Sequence, residues 1–198
     1  MKKVLFGIMA LSTAAFAVNP GTGTPETASV PVRVIADIVE APTGLTITDE
    51  SGTALQELVI DHGQLVKGNV VGDSVAFKNF RVRRYDSGSM VALAPAGAAA
   101  PKLEVSLDDT ETTLKKGGTS TTSILNSDLT LAGGTSTPAT NGDPHSYIVN
   151  LTADTEQEHL GKVTSVIPNS YFTATALEAG FHHNSAERTL TVVYTPGN

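Results

Sequence analysis

The chain is expected to be all-β, an antiparallel β-sandwich, on three features of its 198 residues. Short stretches in which Val, Ile, Leu, Phe and Thr alternate with polar residues recur along it, separated by Gly, Asp, Asn and Ser. No long stretch shows the 3.6-residue apolar period of a surface helix. Cysteine is absent, so stability has to come from burial and strand pairing rather than cross-links.

The first 17 residues, MKKVLFGIMALSTAAFA, place Lys2 and Lys3 before an apolar run from Val4 to about Leu11 and end in Ala15-Phe16-Ala17. This is the pattern of a secretory signal, with the mature chain starting at Val18. So short a run does not comfortably cross about 30 Å of hydrocarbon. With no Cys at position 18, a lipid anchor on cysteine is excluded. The remaining 181 residues suffice for one sizeable core. Losing Lys2 and Lys3 leaves 11 basic against 20 acidic residues, a formal charge of −9. That balance argues against nucleic acid and against anionic membrane as partners, since both need clustered Lys and Arg. The one basic cluster, Arg81, Arg83 and Arg84, reads as a solvated strand face.

In chain order, residues 18–29 (VNPGTGTPETAS) are rich in Gly, Pro and Thr and read as a flexible leader. In VPVRVIADI, residues 30–38, Val30, Val32, Val34, Ala36 and Ile38 fall at every second position, the period of a strand. GLTITDESG (44–52) is expected to be a strand ending in an acidic turn, and ALQELVIDHG (54–63) another ending at Gly63. DSVAFKNFRVRRYDSG (73–88) alternates at Val75 and Phe77 and again at Phe80 and Val82, with a phase change at Lys78 and Asn79 that predicts a bulge. Further strands are expected in PKLEVSLDD, TSILNSDLTLAGG, HSYIVNLTAD, GKVTSVI, SYFTATALEAG and ERTLTVVYTP, about ten in all. TATALEAG (173–180) could alternatively form one or two helical turns. Two biased segments, 90–101 and 117–145, read as long surface connections or loops. The domain therefore spans residues 30–198.

Little in the sequence points to chemistry. There is no thiol, and no Gly-x-Ser-x-Gly, His-Glu-x-x-His, phosphate-binding or dinucleotide fingerprint. His182 and His183 are adjacent and would point to opposite faces of a strand, which disfavours a shared metal. Asp108, Asp109 and Glu111 lack the spacing of a calcium loop and read as solvated turn carboxylates. His62, His145 and His159 stand alone among polar neighbours. The expectation is a protein that is not an enzyme and has no catalytic residue, no metal and no cofactor.

The two ends of the domain match one another. Leu190, Val192 and Tyr194 alternate in the last strand as Val30 to Ile38 do in the first. A strand at each end is what a subunit needs if a neighbour's strand completes its sandwich. Here VRVIADIVEAPTGLTITDESGTALQELVI resembles the fimbrial subunits of the chaperone–usher pathway, particularly the cysteine-free colonisation-factor major pilins. The similarity places Val32 to Ile38 at the donor strand and Gly52-Thr53-Ala54-Leu55 at the turn after it. It covers about 40 N-terminal residues and the final strand, and is weak around 117–145.

The resemblance implies an immunoglobulin-like sandwich lacking its last strand. It implies a periplasmic chaperone, an outer-membrane usher and export through the periplasm to a cell-surface fimbria (pilus) supporting cell adhesion. It also implies head-to-tail self-polymerisation, in which Val30, Val32, Val34, Ala36 and Ile38 fill a partner's groove edged by Leu190, Val192 and Tyr194. A host receptor is left unspecified. The alternative is a monomeric exported β-sandwich adhesin or carbohydrate-binding module, weakened by the absence of Trp and the presence of only four Tyr.

Overall fold

The computed structural model describes residues 43–94, 101–133, 145–151, 157–184 and 186–196. The signal peptide, the leader and the strand expected at 30–38 lie outside the described residues.

Strand β1 (Gly44–Thr48) ends in a turn organised by Asp49. Ser51 Oγ and the Thr53 N–H both donate to Asp49 Oδ1, at 2.6 and 2.9 Å, and these bonds hold its carboxyl below the usual carboxylate range. The chain reverses there, so that Ala54 bridges back to Thr48. Strand β2 (Ser74–Asp86) pairs with β1 over Arg81–Tyr85 and turns through Ser87 and Gly88, with φ of 49° and 82°, into the short β3 (Ser89–Val91). Two successive left-handed residues are what a two-residue hairpin requires.

The remaining strands are β4 (Lys102–Leu107), β5 (Glu111–Lys116), β6 (Ile124–Gly133), β7 (Ser146–Asn150), β8 (Glu158–Ile167), β9 (His182–Asn184) and β10 (Leu190–Thr195). A single 3-10 turn, Asn169–Thr173, follows β8. Among the described residues there is no α-helix, and every strand pairing is antiparallel. One sheet has the order β1-β2-β8-β6-β5-β9, with β3 also on β2, and the other is β10-β4-β7. The all-β sandwich is therefore present.

The core forms where the sheets face each other. Phe80 and Val82 of β2, Leu129 and Leu131 of β6 and Val163 of β8 meet Leu103, Val105 and Leu107 of β4 and Tyr147 of β7. Each buried aliphatic or aromatic side chain contributes about 1.5–3 kcal/mol. A smaller cluster of Leu125, Ile167 and Phe172 closes one end.

Several expectations need correction. The bulge at Lys78 and Asn79 is absent: β2 pairs with β8 without a break from Ser74↔Ile167 to Arg83↔Glu158. The phase change is instead a change in which face is apolar. Val75 and Phe77 point outward, about three-fifths exposed, whereas Phe80 and Val82 point into the core. Residues 170–180 form no strand, and neither does 173–180 form a helix; Phe172 anchors the 3-10 turn and an irregular stretch follows. The segment 117–145 is not a surface connection throughout: the strand expected in TSILNSDLTLAGG is present as β6, Ile124–Gly133, with every second residue buried. The strands β3, β5 and β9 were not expected; each is short, at six residues or fewer. The strand expected at 54–63 is also absent, for a reason that defines the site.

Candidate functional site

Residues 55–63 belong to neither sheet. Leu58, Ile60 and His62 turn inward, half-buried, while Glu57, Val59, Asp61 and Gly63 are exposed. This is the alternation of a strand, without a ladder partner among the described residues. The segment leaves β1 through the Ala54 bridge and the bond from Leu55 N–H to the Ile47 carbonyl, 2.9 Å. It then crosses the inner face of the larger sheet and is fastened at its far end by His62. That ring bonds Ser74 Oγ through Nδ1, at 2.9 Å, and Ser165 Oγ through Nε2, at 2.7 Å.

The opposite wall belongs to the approach to β10. Asp108 accepts the Thr189 N–H at 3.0 Å, and Asp109 pairs with Arg188 at 3.1 Å. These two carboxylates thus set where the last strand begins. In the three-stranded sheet β10 pairs with β4 from Leu190↔Leu107 to Thr195↔Lys102 and is an edge strand, its other side without a partner among the described residues. Leu190, Val192 and Tyr194 face inward but remain half-buried, while Thr191, Val193 and Thr195 face out. At the far end the Arg84 guanidinium lies 5.5 Å from the centre of the Tyr194 ring.

Between the two walls lies a groove of about 1400 Å3. Its floor includes Leu129, Val163 and Ile167 of the larger sheet, its walls run along Leu55–Gly63 and Glu187–Leu190, and Phe181 stands beside it, 79% exposed. Of the three sequence candidates on β10, Leu190 lines the groove; Val192 and Tyr194 continue the same inward row beyond it. Val30, Val32, Val34, Ala36 and Ile38 lie outside the described residues. The groove is thus an apolar floor between a segment that belongs to neither sheet and the start of an edge strand, neither with a ladder partner on its free side among the described residues.

Several other polar residues considered in the sequence have structural partners. Arg81 and Arg83 both pair with Glu158 on the outer sheet face, Arg83 Nη2 at 2.7 Å. His182 bonds Ser123 Oγ at 2.8 Å and the Gly180 carbonyl at 3.0 Å. Among the described residues no three His, Cys, Asp or Glu side chains are placed to hold a metal, and no helix is long and apolar enough to cross a membrane. Sequence reading missed the role of His62, whose signal was its place in the inward row with Leu58 and Ile60. It also missed His159, which is buried and bonds the Tyr147 hydroxyl at 2.9 Å, joining the two sheets through the core.

No family model matches the chain, and no curated protein matches it. Among solved structures it is similar to a chain of a chaperone–tip adhesin complex described as vital for synergistic activation of CFA/I fimbriae biogenesis. The identity is 14% and the TM-score 0.36, over 78% of this chain and 42% of that chain. The present chain thus spans less than half the length of that neighbour.

Proposed function

We propose that the chain is a structural, non-catalytic subunit of a surface fimbria, and that the groove accepts a strand from another copy of the same chain. The observation that carries this reading is a groove over an apolar floor, lying between Leu55–Gly63, which alternates like a strand but belongs to neither sheet, and the start of β10 at Leu190, an edge strand among the described residues. A strand laid between them would satisfy main-chain groups on both sides and bury apolar side chains on one face. The sequence supplies such a strand in Val30, Val32, Val34, Ala36 and Ile38. On this reading the sandwich is immunoglobulin-like with its last strand supplied in trans. The signal peptide directs export, a periplasmic chaperone covers the groove before assembly, and an outer-membrane usher delivers subunits to the surface.

The test uses a version of the protein with its donor segment repeated after the C-terminus through a linker, filling its own groove. Val34→Asp is placed in the N-terminal copy only, where a carboxylate in the groove would cost several kcal/mol. The expected outcome is a folded monomer, together with loss of polymerisation when the same change is made in the chain without the added segment. If the linked variant loses its fold, residues 30–38 belong to their own subunit and the proposal is wrong.

A further inference from the structure

The segment Leu55–Gly63 has few ties to the sheet face it crosses. After the bond from Leu55 N–H to the Ile47 carbonyl, the hydrogen bonds joining residues 56–63 to the rest of the chain are, among the described residues, those of His62. Leu58 and Ile60 add apolar packing against the core, but both remain half-buried. The His62 ring sits over the one level at which the apolar floor is interrupted. Along β8 the inward row runs Val163, Ser165, Ile167, and along β6 Leu125, Ser127, Leu129, so a hydroxyl stands between aliphatic residues on each. Ser127 and Ser165 are buried and bond each other, and Ser165 also bonds His62 Nε2 at 2.7 Å, while Ser74 Oγ bonds Nδ1 at 2.9 Å. A neutral imidazole offers one donor and one acceptor, which two hydroxyls match in either tautomer.

A protonated ring has two donors and a charge, and no carboxylate is bonded to it here. On its own segment Glu57 and Asp61 lie on the exposed side, with Asp61 Oδ1 accepting the Gly63 N–H at 2.8 Å. Asp73, next to Ser74, accepts the Asn169 N–H at 2.9 Å, and the inward row of β2 reaches its first charge at Lys78, four residues beyond Ser74. The inward rows of β6 and β8 carry no charge beside the ring; His159 is three places away along β8 and bonded to Tyr147. Lys67 donates to the Leu177 carbonyl at 2.7 Å, and across the groove Glu178 and Arg188 are paired with Lys116 and Asp109. Burial accordingly holds the ring below the ordinary imidazole value, against a smaller pull from Asp61.

We propose that His62 is an acid-released latch, holding Leu55–Gly63 on the larger sheet while its ring is neutral and letting the segment leave that face when the ring takes up a proton. The released ring, in water, titrates at about 6.5 and the seated ring lower, so seating is at full strength above that value and weakens as pH falls below it, by about tenfold per pH unit at most. The latch stands apart from the function proposed above, although on that reading the segment it frees is a wall of the accepting groove.

The chain has no cysteine, so a single introduced thiol reports on one position. Full chains carrying Ile60→Cys on the inward side or Val59→Cys on the exposed side are reacted with a dithiodipyridine at about pH 7.5 and about pH 5.5, and the ratio of the two rates is taken at each. The ratio should be well below one at the higher pH and rise by about three- to tenfold at the lower. In a His62→Gln background, whose amide donates and accepts but does not titrate, it should stay level; His62→Asn serves if that variant does not fold, and Leu58→Cys if Ile60→Cys does not. Val105→Cys, in the core, should stay unreactive at both values. A ratio unchanged by pH, or an equal rise without the histidine, would overturn the latch. So would a parallel rise at Val105→Cys, since the acid effect would then be unfolding of the whole sandwich. None of these outcomes decides whether the groove takes a strand, which the linked Val34→Asp chain tests.

Discussion

His159 and Tyr147 show how single residues tie this sandwich together. Both are buried, and their mutual bond is the polar contact that lets them stay so. Burial pushes the Tyr147 hydroxyl far up and His159 down, and it also holds His62 down, against an opposing pull from Asp61. Both histidines therefore bind a proton less readily when folded than when unfolded. Their contribution to stability is complete above the unfolded value of about 6.5 and is lost as pH falls below it. Urea unfolding of the full chain should give stability that is level above about pH 7 and declines toward pH 5, no more steeply than about 1.4 kcal/mol per pH unit for each histidine. His159→Gln should flatten the decline, and a slope unchanged by that substitution would contradict the assignment. None of this was legible in the sequence, where the inward row of β8 reads His, Gly, Val, Ser, Ile and hides its alternation behind polar and small residues. Gly161 has its own reason: a Cβ there would stand 2.2 Å from Phe80 Cζ, so the core ring occupies the space of the missing side chain.

At the scale of elements, the strands with clean alternation were legible and those whose apolar face changes or whose partners are remote were not. β4, β6 and β10 follow their sequence patterns directly. In β2 one unbroken strand carries outward Val75 and Phe77 and then inward Phe80 and Val82, which sequence alone cannot distinguish from a bulge. The segment 54–63 carries a strand pattern but, beyond the bridge of Ala54 to Thr48, lacks a ladder among the described residues. The candidate residues on β10 were legible by period two; the Leu55–Gly63 wall as a groove lining and the polar interruption of the floor were not, because both depend on which distant strands meet. The faces of β10 give a direct check. Val193→Asp places a carboxylate on the outer face, half-exposed, and should change stability by no more than about 0.5 kcal/mol. Val192→Asp places it on the inner face against the core and should cost several kcal/mol or prevent folding. Thermal melts of the two variants decide this, and equal effects would contradict the facing of the strand.

For the molecule as a whole, the proposed assembly has the sandwich of each copy completed by the first strand of another. Absence of cysteine makes this directly measurable, since any introduced thiol is unique. Ile35 lies between the inward positions of the donor row, and Val193 lies between those of β10, so side chains at both should emerge on the same outer face of neighbouring strands. The measurement is made on polymer assembled from equal amounts of isotopically light and heavy chains, every chain carrying both Ile35→Cys and Val193→Cys, joined by a short bis-maleimide and analysed by mass spectrometry. Cross-linked peptides joining position 35 to position 193 should appear with half of them pairing a light with a heavy partner, the statistical share for random neighbours. Cross-links found only between peptides of like isotope would show each strand lying in its own subunit, and would contradict the account.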